Sequence, residues 1–526
     1  MLNRTTGVSI LQHPISLAIL FFFLSMGIHL IGLDALSLTS DECFSIYHAQ
    51  MSPRLIYQHL STGNNPPLHE WILHYWMLWF GDSAFAVRFL SLIFSSLTTA
   101  LIFVLGTQIS AARSEENAAN SSTGMIAAIL FLSSNYSTFL AHEARTYNLT
   151  LFLGVLSTIA FIGALKYGKI KHFLIYGLIG GLLCLSHFFG IWLLLAQGSF
   201  WLLWNKESRP ALKSIIWAAL GFGIAFGWYI PNLWYRFVDS ASQGTWVNPA
   251  PWDAPYFTLW KYLNTPIATI LGMVITLWLF IRTTLQKSTP QSNPTAKLIL
   301  WLFALPFFGQ WLLSLNHPWS IPMFTERYAS ITLPFLCLMI AMGLSGLREY
   351  YNQRLYNFAL ALFFSTILSG KNFTPANQAS AKEALQTAKV SLGGNWRKTP
   401  IILEPYHSAF QVLYYADHNR FKQYQFKQHQ PHLIYDHLAS QLSHSNIWIL
   451  KTAKSLDSLG LSSKSQLTYL RFGTVKSANT VQIEQQLEKL TNTGGNIKGI
   501  TIQIPKRLWG TTEITSEAEF WLIERK

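Results

Sequence analysis

The sequence predicts a polytopic α-helical membrane protein with a C-terminal α/β domain. Half of the 526 residues are hydrophobic and only 12% are charged, whereas roughly a quarter are charged in a typical soluble domain. The apolar residues occur in long blocks, and after residue 370 the sequence becomes polar with short β-like runs. These three observations set the expected fold class.

Eleven apolar blocks are candidates for membrane spans, since about 20 residues cross a bilayer as a helix. They fall at about 14–33, 84–107, 123–141, 146–165, 172–186, 188–204, 211–231, 263–285, 297–315, 329–346 and 355–369. Residues 66–83 hold three Trp and two His in a segment too short and polar to span. We expect that segment to lie at the membrane interface.

Lys and Arg between the blocks predict sidedness, because cytoplasmic loops carry an excess of both. One alternating set of connections carries eleven: 166–171, 205–213, 282–297 and 348–354. The opposite set carries five: 34–68, 142–145, 186–190, 232–262 and 316–328. The first set is therefore expected in the cytoplasm, and the second outside a plasma (inner) membrane.

Two domains follow from this reading. Residues 1–370 form a transmembrane domain whose first outer loop is 34–83, and residues 371–526 form a soluble extracytoplasmic α/β domain. The predicted strands lie at 401–403, 412–415, 432–435, 447–450, 500–504 and 520–523, and the predicted helices at 378–390 and 480–490. The net charge of +14 favours anionic membrane lipids over nucleic acid, since no nucleic-acid-binding module accompanies it.

Two adjacent carboxylates, Asp41 and Glu42, follow the first apolar block. Charged residues at a membrane are costly and uncommon, and one of these could serve as a general base that takes a proton from an acceptor. The structural alternative is a short helix with Ser40 or Asp41 as its N-cap and the acids in its first turn. The residues alone leave both interpretations open.

Three arginines lie at outer edges of apolar blocks: Arg88, Arg145 and Arg327. Guanidinium groups suit a phosphate leaving group, because they donate paired hydrogen bonds to its developing charge. The alternative for each is snorkelling to headgroups or pairing with Glu143 or Glu326. Three arginines at one membrane face favour an anion site.

Other polar and aromatic residues on that face are candidates for substrate contact. His187 lies at an outer turn, where it could touch a phosphate or sugar or be a buried polar plug. Asn65 and His69 flank Pro66-Pro67, which fix a turn before a helix; a plain loop-to-helix junction, with histidines satisfied by hydrogen bonds rather than a metal, is the alternative. Trp246, in a Trp- and Pro-rich loop, could stack on a sugar or anchor the loop at the interface.

In their order along the chain, these motifs resemble the GT-C glycosyltransferases. They are the acidic pair, Pro66-Pro67-Leu68, Ala86-Val87-Arg88-Phe89-Leu90-Ser91, Glu143-Ala144-Arg145-Thr146-Tyr147, His187-Phe188-Phe189-Gly190 and Arg327-Tyr328. The resemblance covers about residues 10–370 and points to the protein O-mannosyltransferase and lipid A aminoarabinose transferase superfamily (glycosyltransferase family 39-like). One position departs from it, because many members have His before the two prolines and this chain has Asn65.

The resemblance implies a glycosyltransferase that moves a sugar from a polyprenyl-phosphate donor to an extracytoplasmic lipid, glycan or protein acceptor. It implies Asp41 as the base, with Glu42 near the acceptor. Arg88, Arg145, His187, Arg327 and Tyr328 would bind the donor phosphate, and Asn65, His69, Tyr147 and Trp246 would line the substrate. No cofactor and no essential metal are expected, because the carboxylates are contiguous rather than spaced as Asp-x-Asp.

Two other function classes stay open. A transporter or flippase of lipid-linked glycans would place charges near the bilayer midplane and repeat its halves, whereas here the charges cluster at one face and no repeat is found. An oligosaccharide ligase or polymerase would take a whole glycan from a polyprenyl diphosphate, so donor length distinguishes it. Direct attack with one base and no enzyme nucleophile predicts inversion at the anomeric carbon.

Overall fold

A computed structural model describes residues 14–61, 63, 65–111, 122–204, 212–243, 247–285, 294–348, 351–374, 381–393, 396, 398–404, 408–423, 434–449, 466–472, 482–485, 487, 489, 496–507 and 513–524. The chain divides into two compact units. The first unit comprises Met1–Leu33, Ser61–His69 and Arg88–Thr374, and the second comprises Asp34–Leu60, Glu70–Val87 and Pro375–Lys526.

Helices make up most of the described chain. They are α1 (Pro14–Leu30), α2 (Ser40–Ala49), α3 (Pro53–Leu60), α4 (Leu68–Phe80), α5 (Ala84–Ala111), α6 (Ser122–Ser133), α7 (Asn135–Ala141), α8 (Tyr147–Tyr167), α9 (Ile170–Ser186), α10 (Gly190–Trp204), α11 (Leu212–Phe226), α12 (Ile230–Gln243), α13 (Ala254–Leu263), α14 (Pro266–Leu285), α15 (Pro294–Ser314), α16 (Glu326–Ala329), α17 (Leu333–Leu347), α18 (Gln353–Ser369), α19 (Ala381–Leu392), α20 (Ala409–Ala416), α21 (His418–Gln423) and α22 (Ile434–Ser443). The strands are β1 (Ile401–Glu404), β2 (Ile447–Ile449), β3 (Gln466–Phe472), β4 (Asn496–Arg507) and β5 (Glu513–Glu524).

Five helical stretches are long and apolar enough to cross a membrane. They are Ala84–Ser110, Tyr147–Tyr167, Ser214–Arg236, Pro294–Ser314 and Glu326–Leu347. The pairs α6–α7 and α13–α14 also qualify, although they bend by 68° and 105°, which brings the number to seven. The structure confirms a helical architecture with five to seven candidate spans among its described residues. The predicted count of eleven is not confirmed, because apolar helices such as α1 and α9 have only 17 residues and a span needs about 20.

Glycines let helices of the first unit approach closely. A Cβ atom at Gly177 of α9 would collide with the carbonyl oxygen of Ala218 in α11, and one at Gly221 would collide with that of Leu174. Small residues permit this backbone approach between membrane helices.

Two buried asparagines hold the bends of the first unit. The backbone N–H of Asn135 donates to Oδ1 of Asn264 at 2.7 Å, and Nδ2 of Asn264 donates to the carbonyl oxygens of Ser133 at 2.8 Å and Ile367 at 2.9 Å. Nδ2 of Asn135 donates to Gly370 O at 2.7 Å. Asn264 has φ 67°, which Asn tolerates better than most residues. This Asn135–Asn264 network satisfies backbone groups that the broken helices leave unpaired.

Lys371 completes the Asn135–Asn264 network. Its Nζ donates to the carbonyl oxygens of Leu132 at 3.0 Å and Ser134 at 3.2 Å, and to Oγ1 of Thr138 at 2.6 Å. Burial lowers the pKa of Lys371 to about 7, while three acceptors match the three N–H donors of an ammonium group. Lys371 therefore links the end of α6 to the start of α7 through three hydrogen bonds.

The second unit contains a five-stranded sheet with strand order β2-β1-β3-β5-β4. Strand β1 pairs in parallel with β2 and β3, whereas β5 pairs antiparallel with β3 and β4. Ile402, Tyr469 and Ile523 belong to its buried core. All four residues of β1 are buried, as expected for a central strand covered on both faces.

Four strands lie where β-branched and aromatic runs predicted them, and two predicted strands are wrong. Val412–Tyr415 lies within α20, and Ile434 and Tyr435 begin α22; residues 432–433 lie outside the described residues. Short apolar runs do not distinguish a buried strand from a buried helix. Strand β3, which was not predicted, is found between β1 and β5 in the sheet.

Candidate active site

Helix α2 presents the acidic pair in its first turn. Its N-cap is Thr39, whose Oγ1 accepts a hydrogen bond from the N–H of Glu42 at 3.3 Å, while Oε2 of Glu42 accepts one from the N–H of Thr39 at 2.8 Å. This reciprocal capping box satisfies two backbone donors at the start of the helix. The structural alternative was therefore right about a cap, but wrong in assigning it to Ser40 or Asp41.

The two carboxylates have different surroundings. Glu42 is 0% exposed and its carboxylate accepts from the cap residue, whereas Asp41 is half-buried. The helix N-terminus carries a partial positive charge that favours the ionised form of a first-turn acid. Asp41 is thus the carboxylate that solvent reaches, and Glu42 holds the helix that carries it.

Helix α4 supports α2 from one side. Oγ of Ser45 donates to Oε1 of Glu70 at 2.9 Å. Nδ1 of His74 lies 2.7 Å from the carbonyl oxygen of Ala49, and a carbonyl accepts, so this nitrogen carries the proton. His74 is therefore a histidine satisfied by the backbone, as the structural alternative proposed.

In the first unit, the start of α8 is joined to the end of α9. Oγ1 of Thr146 donates to Ser186 O at 2.7 Å, and the hydroxyls of Thr150 and Ser186 lie 3.1 Å apart. Arg145 precedes Thr146 and His187 follows Ser186, so these bonds bring two predicted site residues to one place. Both side chains are buried.

Rings from two distant segments, and from its own, pack beside His187. Its centroid lies 5.8 Å from that of Tyr147 and 5.3 Å from that of Tyr328, and Phe189 stacks on Tyr328 at 4.4 Å. The N–H of Phe189 donates to Nδ1 of His187 at 3.2 Å. Because Nδ1 accepts, the proton of the neutral ring is on Nε2, which makes Nε2 the donor nitrogen. We call Tyr147, His187, Phe189 and Tyr328 the His187 cluster.

Arg327 directly precedes Tyr328 of the His187 cluster and forms a partly buried ion pair. Its Nη2 lies 3.0 Å from Oε1 of Glu143. The neighbouring Glu326 binds Nζ of Lys261 at 2.7 Å through its side chain, and its backbone oxygen accepts from the hydroxyl of Tyr262 at 2.7 Å. The pairing alternative is thus observed for Arg327, with Glu143 as the partner rather than Glu326.

Arg88 contacts the backbone beyond the end of α1. Its Nη1 donates to the carbonyl oxygen of Leu33 at 3.1 Å, and its side chain is buried. Cations are favoured near the C-terminal ends of helices, where carbonyl groups lack partners. Its role at a donor phosphate stays a prediction.

The remaining predicted residues have varied positions. Asn65 is half-buried before α4, and His69 is buried in the first turn of α4; Trp246 lies outside the described residues. Among the residues that are described, no group of three or more His, Cys, Asp or Glu could hold a metal ion. That the protein needs no metal stays a prediction.

Comparison with known proteins connects this geometry to a fold. Residues 64–235 match the family described as Dolichyl-phosphate-mannose-protein mannosyltransferase. The apo crystal structure of ArnT from Cupriavidus metallidurans aligns with a TM-score of 0.52 at 11% identity, over 96% of this chain and 98% of that chain. The chain has a GT-C fold.

Two further solved structures are similar to the GT-C chain with lower scores. ArnT from Cupriavidus metallidurans bound to undecaprenyl phosphate gives a TM-score of 0.49 at 11% identity, over 96% of this chain and 98% of that chain. The single-particle cryo-EM structure of arabinosyltransferase EmbB from Mycobacterium smegmatis gives 0.41 at 11% identity, over 74% and 32%. No curated protein sequence matches the chain significantly.

Sequence reasoning missed several residues that organise this GT-C fold. No role was assigned to Asn135, Asn264 or Lys371 from the sequence, and Lys261 was counted only as a positive charge. The available signal was their polarity within or beside apolar blocks, because a buried polar group must find partners. The partners of the two asparagines and of Lys371 lie more than a hundred residues away, and the partner of Lys261 lies 65 residues away.

Proposed function

We propose that this GT-C chain is a glycosyltransferase that moves a sugar from a polyprenyl-phosphate donor to an acceptor outside the cytoplasm. The observation that carries the proposal is the meeting of three separated segments at the His187 cluster. Those segments carry Arg145, His187 and Arg327. These residues supply two guanidinium groups and an imidazole N–H, all buried or nearly so, and such hydrogen-bond donors suit a phosphate group.

The leaving group of the proposed reaction is a lipid phosphate, which gains negative charge as the sugar departs. Fixed donors in a buried site stabilise such charge more strongly than water does, because they need no reorganisation. Arg145 and Arg327 would supply guanidinium donors, and Nε2 of His187 would supply another. Tyr147 and Tyr328 place aromatic faces beside them, which suit a sugar ring or an isoprenoid chain.

Asp41 is the proposed general base. Its carboxylate would take the proton from an acceptor hydroxyl or amine as that group attacks the anomeric carbon. The bond from the anomeric carbon to the phosphate oxygen breaks, and the electron pair leaves with the lipid phosphate. With no enzyme nucleophile, the anomeric centre inverts. Glu42 would serve this step by capping the helix that carries Asp41.

The donor class is supported by the matched family, which is named for the sugar donor dolichyl phosphate mannose. Dolichyl phosphate is a polyprenyl phosphate, and its charge fits the arginines of the first unit. We propose that Arg88 adds to that site and that Asn65, His69, Tyr147 and Trp246 line the substrate. The acceptor is a lipid, glycan or protein at the outer face of the plasma membrane, where residues 371–526 would also lie.

The test is transfer of label from polyprenyl-phosphate monosaccharides in membranes that hold the full chain. Asp41→Asn is compared with wild type, and Asp34→Asn is the matched control, since Asp34 is an exposed acid of the same segment. Loss of transfer in Asp41→Asn alone would support the proposal. Equal transfer by Asp41→Asn would remove its role as base, and an NMR spectrum showing a retained anomer would reject direct displacement.

A wild-type chain that consumes no monosaccharide donor, across a panel of sugars, would overturn the proposal. The same membranes would then be given a polyprenyl-diphosphate oligosaccharide. Transfer from that lipid would identify an oligosaccharide ligase or polymerase, while movement of either lipid across the bilayer without cleavage would identify a flippase.

A further inference from the structure

Helix α20 grips the backbone just before the N-cap of α2, within the second unit. The N–H of Leu38 donates to the hydroxyl of Tyr415 at 2.6 Å, and Nε2 of Gln411 donates to the carbonyl oxygen of Leu38 at 2.7 Å. Both polar groups of one residue are thus held by side chains one turn apart on a single helix. We call this the Leu38 clasp.

An aromatic contact extends the grip along α2. Phe410 of α20 is 1% exposed, and its ring centroid lies 5.4 Å from that of Phe44 and 5.3 Å from that of Tyr47. Both pairs are edge-to-face, an arrangement that stabilises beyond the area it buries. Helix α2 is thus packed against α20 as well as against α4.

A second grip lies at the other end of the same loop. The hydroxyl of Tyr414 donates to the backbone oxygen of Asp82 at 3.1 Å. The Asp82 carboxylate lies 3.0 Å from Nζ of Lys422 and 3.3 Å from Nε2 of His418. Helices α20 and α21 therefore hold the loop that carries the acidic pair at two points, Leu38 and Asp82, which are 44 residues apart in sequence.

We infer that Gln411 and Tyr415 are positioning residues for Asp41, and that α20 is part of the active centre rather than of a separate accessory domain. This inference rests on the proposed function. Leu38 adjoins the N-cap Thr39, and Asp41 is only three residues beyond Leu38. Fixing Leu38 therefore fixes the direction in which the first turn of α2 begins.

The expected effect is on the chemical step rather than on donor binding. A displacement of about 1 Å at a catalytic group can lower a rate by roughly a hundredfold, and loosening the clasp shifts the position of Asp41 only in part of the population. We expect kcat to fall about tenfold when one bond of the clasp is lost. The KM for the donor should stay within about twofold, because the guanidinium groups proposed to bind it are unchanged.

Two variants remove one bond each with little change in shape. Tyr415→Phe removes the hydroxyl and keeps the ring, and Gln411→Met removes the donor and keeps most of the side-chain volume. Asn419→Ala is the control, since Asn419 is exposed on the neighbouring α21. Full-length proteins in detergent are first compared by thermal unfolding, so that rates refer to folded chains.

Hydrogen exchange tests the clasp without relying on catalysis. The N–H of Cys43, which donates to Thr39 O at 3.0 Å, should exchange faster in Tyr415→Phe and Gln411→Met than in wild type. Faster exchange together with a lower kcat and an unchanged KM supports the inference. If the exchange rate of this N–H is unchanged, the Leu38 clasp does not restrain α2. If kcat is unchanged in the double variant, which combines Tyr415→Phe with Gln411→Met, the clasp does not position Asp41.

The failure of the proposed function has a different signature. If Asp41→Asn transfers sugar as wild type does, the base assignment fails whatever the clasp variants do. If Asp41→Asn is inactive while the double clasp variant keeps wild-type kcat, only the present inference fails. A last comparison places the clasp variants in the Asp41→Asn background, where they should cause no further fall in the residual rate.

Discussion

Arg327 and Glu143 form a partly buried ion pair 3.0 Å apart, with side chains 13% and 4% exposed. The pair joins the start of α16 to the segment between α7 and α8, so two sequence motifs separated by 184 residues become one structural feature. Its carboxylate both neutralises the guanidinium and fixes its direction. A phosphate entering beside it would meet a charge that is already oriented.

Arg327→Lys should lower kcat/KM for the donor about a hundredfold, because an ammonium group lacks the planar fork that binds carboxylate and phosphate together. Glu143→Gln should cost less, since the guanidinium remains and gains net charge for the phosphate. Sugar transfer measured over a range of donor concentrations checks both. Equal losses in the two variants would contradict a phosphate contact by Arg327 and would leave the pair a structural role.

The carboxylate of Glu42 can be tested as a cap. Glu42→Gln should keep activity and stability, because Gln also closes a capping box, while Glu42→Ala should lose about 1 kcal/mol of stability with that hydrogen bond. Thermal unfolding and sugar transfer are measured on the same preparations. If Glu42→Gln is inactive but unfolds as wild type does, the charge of Glu42 takes part in the chemistry.

Asn264 combines a left-handed backbone with three side-chain hydrogen bonds. Asn264→Gly keeps the backbone conformation and loses the bonds, whereas Asn264→Ala loses both. We expect the order of stability to be wild type, then Gly, then Ala, with a first step of about 2 kcal/mol or more because buried groups lose their partners. Unfolding curves in one detergent give the order, and equal stability of Ala and Gly would show that the backbone conformation costs little.

Lys371 predicts a pH dependence of stability. Its folded-state pKa of about 7 lies below the ordinary value of 10.5, so the unfolded chain binds more protons between these two values. The free energy of unfolding should therefore rise with pH from about 7 towards 10.5, and this contribution should be constant below about 7.

The contribution of Lys371 to the free energy of unfolding is measured by unfolding wild type and Lys371→Met at pH 6.5 and pH 9. Lys382→Met is the control, because Lys382 is exposed. The stability of wild type relative to Lys371→Met should increase between the two pH values. A constant difference would mean that the three acceptors around Nζ keep the ammonium form throughout.

Much of the fold, and the choice of several candidate site residues, follow from local sequence. The apolar blocks predict helices, and strands β1, β2, β4 and β5 follow from runs of β-branched and aromatic residues. Asp41, Arg145, His187 and Tyr328 stand out as polar or aromatic residues at the ends of apolar blocks. Helical hydrophobicity is a property of neighbours in sequence, so it can be read without the fold.

The partners of individual side chains could not be predicted from neighbouring residues in the sequence. From the sequence, either Glu143 or Glu326 could pair with Arg327; in the structure Arg327 pairs with Glu143, and Glu326 pairs with Lys261. The sequence also made Val412–Tyr415 a strand, whereas this run lies in the helix that clasps Leu38. A short apolar run can be buried as either element, and the neighbours that bury it decide.

By itself, the sequence determined that this chain is helical and apolar, and which residues carry charge at the ends of its apolar blocks. The tertiary structure decided the partners of those charges: Glu42 caps a helix and Arg327 pairs with Glu143. It also decided that the backbone of Leu38 is held by a helix more than 370 residues away. The physical reason is the sequence separation over which each property is determined. Burial tendency is summed over adjacent residues, whereas a hydrogen bond or ion pair forms between whichever groups the packed helices bring within about 3 Å.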